Sequence, residues 1–293
     1  FPLQCLGWDV DCCNSVQFSN HTGYGMDKVF GNITEEHDLN QLLCGVLANF
    51  PHEYDALLSG YLPNKNAVRC VGTHYMEYKK KNPNSLWLMD PVMGDEGQLY
   101  VNEDVIPEYK KLALCPTCPI NIITPNQFEL EILHGDKIDS PQQLKDAILQ
   151  LHSTIPVIVV TSCDYKMFND PDHLYIVTSM RGEKPVLLRV PLIKSYFTGV
   201  GDLFAALLLD RTNKLFSSSD PQIHLEDHVN DVLNVIQNVL KKTLSYSVKF
   251  KGAVMGSASD MKDMELRIIE SRDLYNGDGV GSASNSNFIY RKL

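Results

Sequence analysis

The sequence predicts one α/β domain, built on a mostly parallel central sheet with helices on both faces and an antiparallel hairpin at one edge. Three observations lead there. Short apolar, β-rich runs recur along the chain with helically spaced segments between them, the alternation of a buried parallel sheet. Two further runs, "HLYIVTS" and "PVLLRV", flank "MRGEK" as the arms of a hairpin would. And the 293 residues, 44% hydrophobic and 21% charged, have the composition of a globular domain with a large core. A prior of about 150 residues per domain would allow two domains. No linker or internal repeat divides the chain, so a single domain over residues 1–293 is expected.

In chain order, the expected parallel strands are Trp8 to Val16, Asp55 to Gly60, Ser85 to Met89, Ile120 to Ile123 and Pro156 to Thr161. They are apolar throughout because a strand covered on both faces has no solvent side to show. Between them, Leu39, Leu42, Leu43, Val46 and Leu47 form one apolar helical stripe, and Val105 to Leu114 suggests a shorter helix. Ser140-Pro141-Gln142-Gln143 reads as a capping box with proline at the first helical position, opening a helix to Leu151. After the hairpin come "GDLFAALLLDRTNKL" and a long helix whose Val229, Val232, Leu233, Ile236, Val239 and Leu240 share a face. A last amphipathic helix is expected around Asp260 to Ser271, then a flexible tail at Asn276 to Asn287, almost all Gly, Ser, Asn, Asp and Ala.

The 36 acidic and 26 basic side chains leave a net charge of −10. Such a chain has no long-range positive field, which argues against nucleic acid and anionic membrane surfaces as partners. No apolar run approaches the roughly 20 residues that span a bilayer. The eight cysteines sit largely in apolar stretches, as core thiols of an intracellular protein do. Only Cys115-Pro116-Thr117-Cys118 has a metal or redox spacing, and with no second pair to complete four zinc ligands it reads as coincidence. The start "FPLQCLGWDV" has neither a methionine nor the sections of a signal peptide, so the chain is expected to begin inside a longer natural protein.

The sharpest chemical signal is Thr198-Gly199-Val200-Gly201-Asp202, directly ahead of an apolar helix. Glycines at a helix N-terminus bare backbone N–H groups, and the macrodipole adds positive charge, so a phosphate fits there. Asp202 has two readings: an N-cap, or a general base that takes the proton of a hydroxyl attacking a bound phosphoryl group. Polar clusters at the carboxyl ends of the expected strands, where ligands bind in open α/β sheets, favour the second. Those clusters run from Asp90 to Asp95, from Thr124 to Glu129 and from Thr161 to Asp164. Asp90, Asp95, Glu129 and Asp202 could form an acidic centre for hard cations, which would neutralise an anionic substrate. In the loop Ser15 to Gly25, His21 is either a plain loop histidine or a functional one. Gly94 to Tyr100 has the glycines and aromatic ring of a lid or of a surface loop. Tyr61 is either strand-end packing or a ligand-facing ring.

Together these motifs resemble a known family. "TGVGDLFAA" is similar to the anion-hole signature of the ribokinase-like kinases, and "SVQFSNHTGYG", "SGY", "MDPVMGD", "GQLYV" and "TPNQFELE" follow in order the pattern of the pyridoxal kinases. The resemblance implies a ribokinase-like three-layer sandwich that transfers phosphate from ATP to the 5′-hydroxyl of pyridoxal, pyridoxine and pyridoxamine. On it, Asp202 would be the base, and the N–H groups of Gly199, Val200 and Gly201 would stabilise the transferring group. Val16, Phe18, Thr22 and Tyr61 would line the vitamer pocket, with His21 beside it. Asn126, Ser162 and Phe197, with Asp90, Glu129, Thr161 and Val200, would contact ATP, and Tyr100 would belong to the lid. Asp95 and Glu129 would surround Mg²⁺, while Asp90, Thr124 and Thr161 would surround K⁺. The family also implies a homodimer in the cytoplasm or the nucleus, with no nucleic-acid or membrane partner. Its pattern begins with a strand and a glycine turn ahead of Phe1, and animal members carry threonine where Val200 stands. Two alternatives stay open: a kinase for another hydroxymethyl heterocycle such as hydroxymethylpyrimidine, or a non-catalytic vitamer-binding protein. Hydroxymethylpyrimidine kinases typically have cysteine in place of Asp202.

Overall fold

The computed structural model describes residues 1–51, 53–217, 224–247, 258–276 and 286–293. In chain order the elements are α1 (Pro2–Cys5), β1 (Val16–Phe18), β2 (Gly31–Ile33), α2 (Glu36–Asn49), β3 (Ala56–Ser59), α3 (Lys65–Lys81) and β4 (Leu86–Met89). Next come β5 (Gly94–Asp95), β6 (Gln98–Leu99), α4 (Ile106–Ala113), β7 (Ile122–Ile123), α5 (Gln127–His134) and α6 (Pro141–Leu151). The rest are β8 (Val157–Cys163), α7 (Tyr165–Phe168), β9 (His173–Met180), β10 (Val186–Pro191), α8 (Val200–Ser217), α9 (Leu225–Tyr246), α10 (Ala258–Asp263) and β11 (Ile289–Lys292). They fall into two compact units. One comprises Phe1–Val10, Gln17–Asn32 and Pro191–Phe288, the other Asp11–Val16, Ile33–Val190 and Ile289–Leu293.

The second unit holds the expected sheet, seven strands in the order β11-β10-β9-β8-β7-β4-β3. β3, β4, β7 and β8 are parallel, and β8 to β9 and β10 to β11 are antiparallel. The apolar runs behave as a doubly covered sheet requires. Leu86 to Met89 and Val157 to Val160 are buried at every position, and each such side chain contributes about 1.5–3 kcal/mol relative to exposure. The helix from Ser140 forms as expected, Ser140 Oγ accepting the Gln143 N–H at 3.3 Å. In β8, Val160 faces Val177 and Cys163 faces Tyr175, so Thr161 and Ser162 together oppose the single residue Ile176. This is a bulge, which bends the strand and re-aims the side chains it contains.

The first unit is helical. α8 packs along α9, whose predicted apolar face is buried at Val229, Val232, Val239 and their neighbours, and α1 packs on α8. Buried Arg211 holds this unit together, pairing with Asp210 at 2.6 Å and Asp231 at 2.7 Å and donating to the carbonyl of Tyr275 at 2.7 Å.

Two expected elements are corrected. The strand proposed from Trp8 to Val16 is a ladder only at its last residue, where β1 begins and pairs with β2. A strand is made by a neighbour's backbone. Among the described residues, the stretch 8–15 finds backbone partners only at its ends, where the Trp8 N–H donates to the Leu3 carbonyl and the Ser15 carbonyl accepts the Thr34 N–H, and it is otherwise held by side chains. Trp8 Nε1 donates to Asp210 at 2.8 Å, Tyr54 donates to Asp11, and Ser15 Oγ donates to the Tyr61 carbonyl at 2.8 Å. The helix proposed from Asp260 to Ser271 is only α10, ending at Asp263, because the Met264 carbonyl accepts the Thr198 N–H at 3.3 Å and Glu265 bridges to Thr198. Of the proposed tail, residues 277–285 lie outside the described residues. Ser286 is anchored, its N–H donating to Asn234 Oδ1 at 2.9 Å.

Candidate active site

In the first unit, α8 begins at Val200 and the Leu203 N–H donates to the Gly199 carbonyl at 3.1 Å. Gly199 is therefore the capping residue, and its φ of +90° is one that a side chain would strain. Asp202 is not the cap. It stands in the first turn, beside the N–H groups of Val200 and Gly201, which have no partner within the helix. The Asp202 side chain is open to solvent on one side, yet enough protein crowds its carboxyl to raise its pKa, and His21 opposes the rise. His21 in turn has its pKa lowered by burial, against the pull of Asp202 and Glu265, which favours the neutral ring. His21 Nδ1 accepts the Gly23 N–H at 2.9 Å, so the neutral ring carries its proton on Nε2. Thr22 lies in the short 3-10 turn Thr22–Tyr24, and Phe18 ends β1 ahead of that turn. Phe197 and Thr198 precede Gly199, and the Thr198 hydroxyl is buried with no hydrogen-bond partner among the described residues.

In the second unit the strand ends deliver a connected cluster. Asp90 follows β4, is buried, and accepts the Thr124 hydroxyl at 3.0 Å, Thr124 itself following β7. Asn126 and Glu129 form a complete capping box on α5. Glu129 also turns Oε1 to the N–H groups of Met93 at 2.9 Å and Gly94 at 3.5 Å, and Asn126 Nδ2 donates to the Gly94 carbonyl at 2.7 Å. The segment Gly94 to Tyr100 is a tight hairpin, β5 pairing with β6 through Glu96 and Gly97, both at positive φ. A β-carbon on Gly94 would lie 2.1 Å from the Gln98 carbonyl oxygen, so only glycine allows this close pairing. Asp95 sits on that hairpin with its pKa raised by burial, partly offset by the Glu96 N–H. Tyr100 is exposed at the hairpin's end. Thr161 and Ser162 occupy the β8 bulge, the Thr161 N–H donating to the Pro125 carbonyl at 2.9 Å. Tyr61 is half-buried, which raises its pKa, and Val16 is half-buried at the start of β1.

The donors of this cluster fit a hard cation. Burial and the neighbouring Asp90 push the Glu129 pKa well up, and among the described residues no lysine or arginine neutralises Glu129. A cation would relieve that cost. No three His, Cys, Asp or Glu side chains among the described residues make a complete cage.

Three residues near these groups are given no role by the sequence: Tyr109 and Glu265 lie outside every motif, and Tyr24 lies inside "SVQFSNHTGYG" without one. Tyr109 of α4 is 1% exposed, its hydroxyl has no partner among the described residues, and burial, with Asp90, Glu129 and Tyr61 adding to it, pushes its pKa well up. Tyr24 and Glu265 are joined by a 2.5 Å hydrogen bond in the first unit. In the sequence Tyr109 is indistinguishable from a core aromatic, and Glu265 lies in what scans as a helix. The Cys115–Cys118 pair lies ahead of β7 with both thiols free, and no helix among the described residues is long and apolar enough to cross a membrane.

The family model described as phosphomethylpyrimidine kinase matches residues 36–218. The chain is 64% identical over 293 residues, 100% of this chain and 93% of the relative, to "Putative pyridoxal kinase BUD16" of Saccharomyces cerevisiae. It is 40% identical over 228 residues, 73% of this chain and 71% of the relative, to the pyridoxal kinase of Homo sapiens. The solved structure of pyridoxal kinase from Leishmania donovani in complex with ADP and pyridoxamine matches with a TM-score of 0.77 at 30% identity, covering 94% of this chain and 88% of that one. Likeness of this extent, in sequence and in fold, makes the chain a kinase and a member of the pyridoxal kinase family.

Proposed function

We propose that the chain transfers the γ-phosphoryl group of ATP to the 5′-hydroxyl of pyridoxal, pyridoxine and pyridoxamine. The observation that carries this reading is Asp202 in the first turn of a helix capped by Gly199, its pKa raised and the helix N–H groups beside it. Asp202 takes the proton of the attacking hydroxyl as the new P–O bond forms and the bond to the ADP oxygen breaks. The N–H groups of Gly199, Val200 and Gly201 hold the charge that builds on the transferring group. Mg²⁺, when bound, neutralises phosphate charge. Asp95 and Glu129 would hold it, and Asp90, Thr124 and Thr161 would hold K⁺. His21, neutral with its proton on Nε2, donates to the vitamer, and the family resemblance assigns Val16, Phe18, Thr22 and Tyr61 to vitamer binding as well. Asn126, Ser162 and Phe197 contact the nucleotide, and Tyr100 covers it. The relatives' names and the ADP and pyridoxamine of the Leishmania donovani structure support the substrate pair.

The test is phosphorylation by ATP of a panel comprising the three vitamers and hydroxymethylpyrimidine, for the wild-type chain and Asp202→Ala. Turnover of the vitamers that is lost in the variant is expected. Preference for the pyrimidine, the substrate class named by the family model, would overturn the vitamer assignment.

A further inference from the structure

Glu265 contacts two loops at once. Its backbone bridges in parallel to Thr198, whose N–H donates to the adjoining Met264 carbonyl at 3.3 Å, immediately before Gly199 caps α8. Its carboxylate accepts the Tyr24 hydroxyl at 2.5 Å. Tyr24 closes the turn Thr22–Tyr24 that follows His21, and its ring is buried. A buried phenol needs a partner for its hydroxyl, and a carboxylate is a stronger one than a neutral acceptor. The same segment meets both sides elsewhere: a β-carbon on Gly23 of the turn would come within 2.9 Å of the Met261 methyl carbon, and Ser195, ahead of Thr198, donates its hydroxyl to the Met264 sulfur at 3.4 Å.

We propose that Glu265 is a positioning residue for phosphoryl transfer, holding the turn that carries His21 and Thr22 in register with the Gly199–Asp202 helix tip. This role rests on the assignment of Asp202 as base and of the His21–Thr22 turn to the vitamer. Its action is through Tyr24, not through contact with either substrate. The phenol–carboxylate bond fixes the turn to the residue whose backbone fixes the helix tip, so the acceptor hydroxyl and the base keep one distance. Slackening that tie misplaces the vitamer hydroxyl against Asp202, while neither Tyr24 nor Glu265 is itself assigned to ATP.

The test is a double-mutant cycle of Tyr24→Phe and Glu265→Ala, with Glu265→Gln as the conservative variant, reading kcat and KM for pyridoxal and ATP. Each single variant is expected to lower kcat/KM for pyridoxal about 10-fold, since misplacement of reacting groups by a fraction of an ångström has effects of this order. The ATP KM stays within about twofold, because the tie makes no ground-state contact to nucleotide. The double variant is no worse than either single, and Glu265→Gln, whose amide oxygen still accepts the phenol proton, recovers most of the loss. Effects that multiply in the double variant, a Glu265→Gln loss equal to that of Glu265→Ala, an ATP KM that rises in step, or unaltered singles would each overturn the role. If Glu265→Ala fails to fold, as its melting curve would show, the cycle is run with Tyr24→Phe and Glu265→Gln alone. Tyr24→Phe must then still lose activity and Glu265→Gln still keep it. Activity lost in Asp202→Ala but unaltered in the cycle rejects the positioning role alone. A wild-type chain inert toward pyridoxal rejects the vitamer assignment instead.

Discussion

Asn126 and Glu129 cap one another: the Glu129 N–H donates to Asn126 Oδ1 at 2.8 Å and the Asn126 N–H donates to Glu129 Oε2 at 2.9 Å. A capping box normally ends there. Here the second carboxyl oxygen is also engaged, by the N–H groups of Met93 and Gly94, so one buried carboxyl organises both the start of α5 and the root of the β5–β6 hairpin. Glu129→Gln loses the charge and, because an amide has a single acceptor oxygen, also gives up the bond on one side, to Asn126 or to Met93 and Gly94. It is expected to raise the Mg²⁺ concentration for half-maximal activity about 10-fold or more, the size typical of metal-site perturbations. Glu129→Ala is expected to lose about 1–3 kcal/mol of stability, because two buried N–H groups and one partly buried one lose their acceptor. Mg²⁺ titrations and urea unfolding read the two effects separately.

Removing the Asp202 base while leaving the helix tip intact separates chemistry from binding. Asp202→Asn is expected to lower kcat about 10²-fold or more with little change in the ATP KM. It is also expected to melt at a higher temperature than wild type at neutral pH. The raised pKa means the folded state binds the Asp202 proton more tightly than the unfolded chain, so this group's ionisation weakens the fold as pH rises through its titration. Near-normal turnover in Asp202→Asn would remove Asp202 from the base role.

The same raised pKa predicts a pH profile. The unprotonated base disappears as pH falls through a value above that of an ordinary aspartate, so the acid limb of kcat/KM lies higher than for a free carboxyl group. His21 holds that value down. In His21→Ala the acid limb is expected to move to higher pH, with an effect on the pyridoxal KM that the pH shift leaves visible. An acid limb that stays in place would show that His21 does not act on Asp202.

Thr124 offers the cleanest handle on K⁺. Its hydroxyl donates to Asp90 at 3.0 Å deep in the second unit. Thr124→Val keeps the volume but withdraws both a donor to Asp90 and an oxygen for a monovalent ion. Wild-type activity is expected to rise with K⁺, and the variant to need about 10-fold more K⁺ for the same activation, about 1.4 kcal/mol, within the range for a single hydrogen bond. Rates indifferent to K⁺ in the wild type would rule out an ion at Asp90, Thr124 and Thr161.

The strand and helix order was legible because burial on both faces leaves a strong mark: Leu86 to Met89 and Val157 to Val160 have no polar position, and each is a buried strand. Trp8 to Val16 shows the limit of that logic. Its residues look like strand, but pairing is decided by a neighbouring backbone that composition does not encode. Asp260 to Ser271 fails for a related reason, since the helix is cut where Thr198, distant in sequence, takes the backbone of Met264 and Glu265. At the candidate site, glycines and carboxylates announce themselves because helix tips and strand ends need those residue types. Tyr109 and Glu265 gave no signal, and Tyr24 only its place in a motif, because what distinguishes them is a hydroxyl left without a partner among the described residues or a bond to a distant carboxylate, and both are properties of the folded chain alone.

The last residues of the chain are spoken for twice over. Ser286 and Phe288 donate their N–H groups to Asn234 and Asn230 of α9, while β11 pairs with β10 and the Leu293 N–H reaches the Pro185 carbonyl at 2.8 Å. Trimming the protein at its low-complexity stretch, as one would to obtain a tidier sample, would therefore strip a covering strand from the sheet. The β10 edge thus bared is the kind of surface that recruits another chain, so the shortened protein would be the one that aggregates.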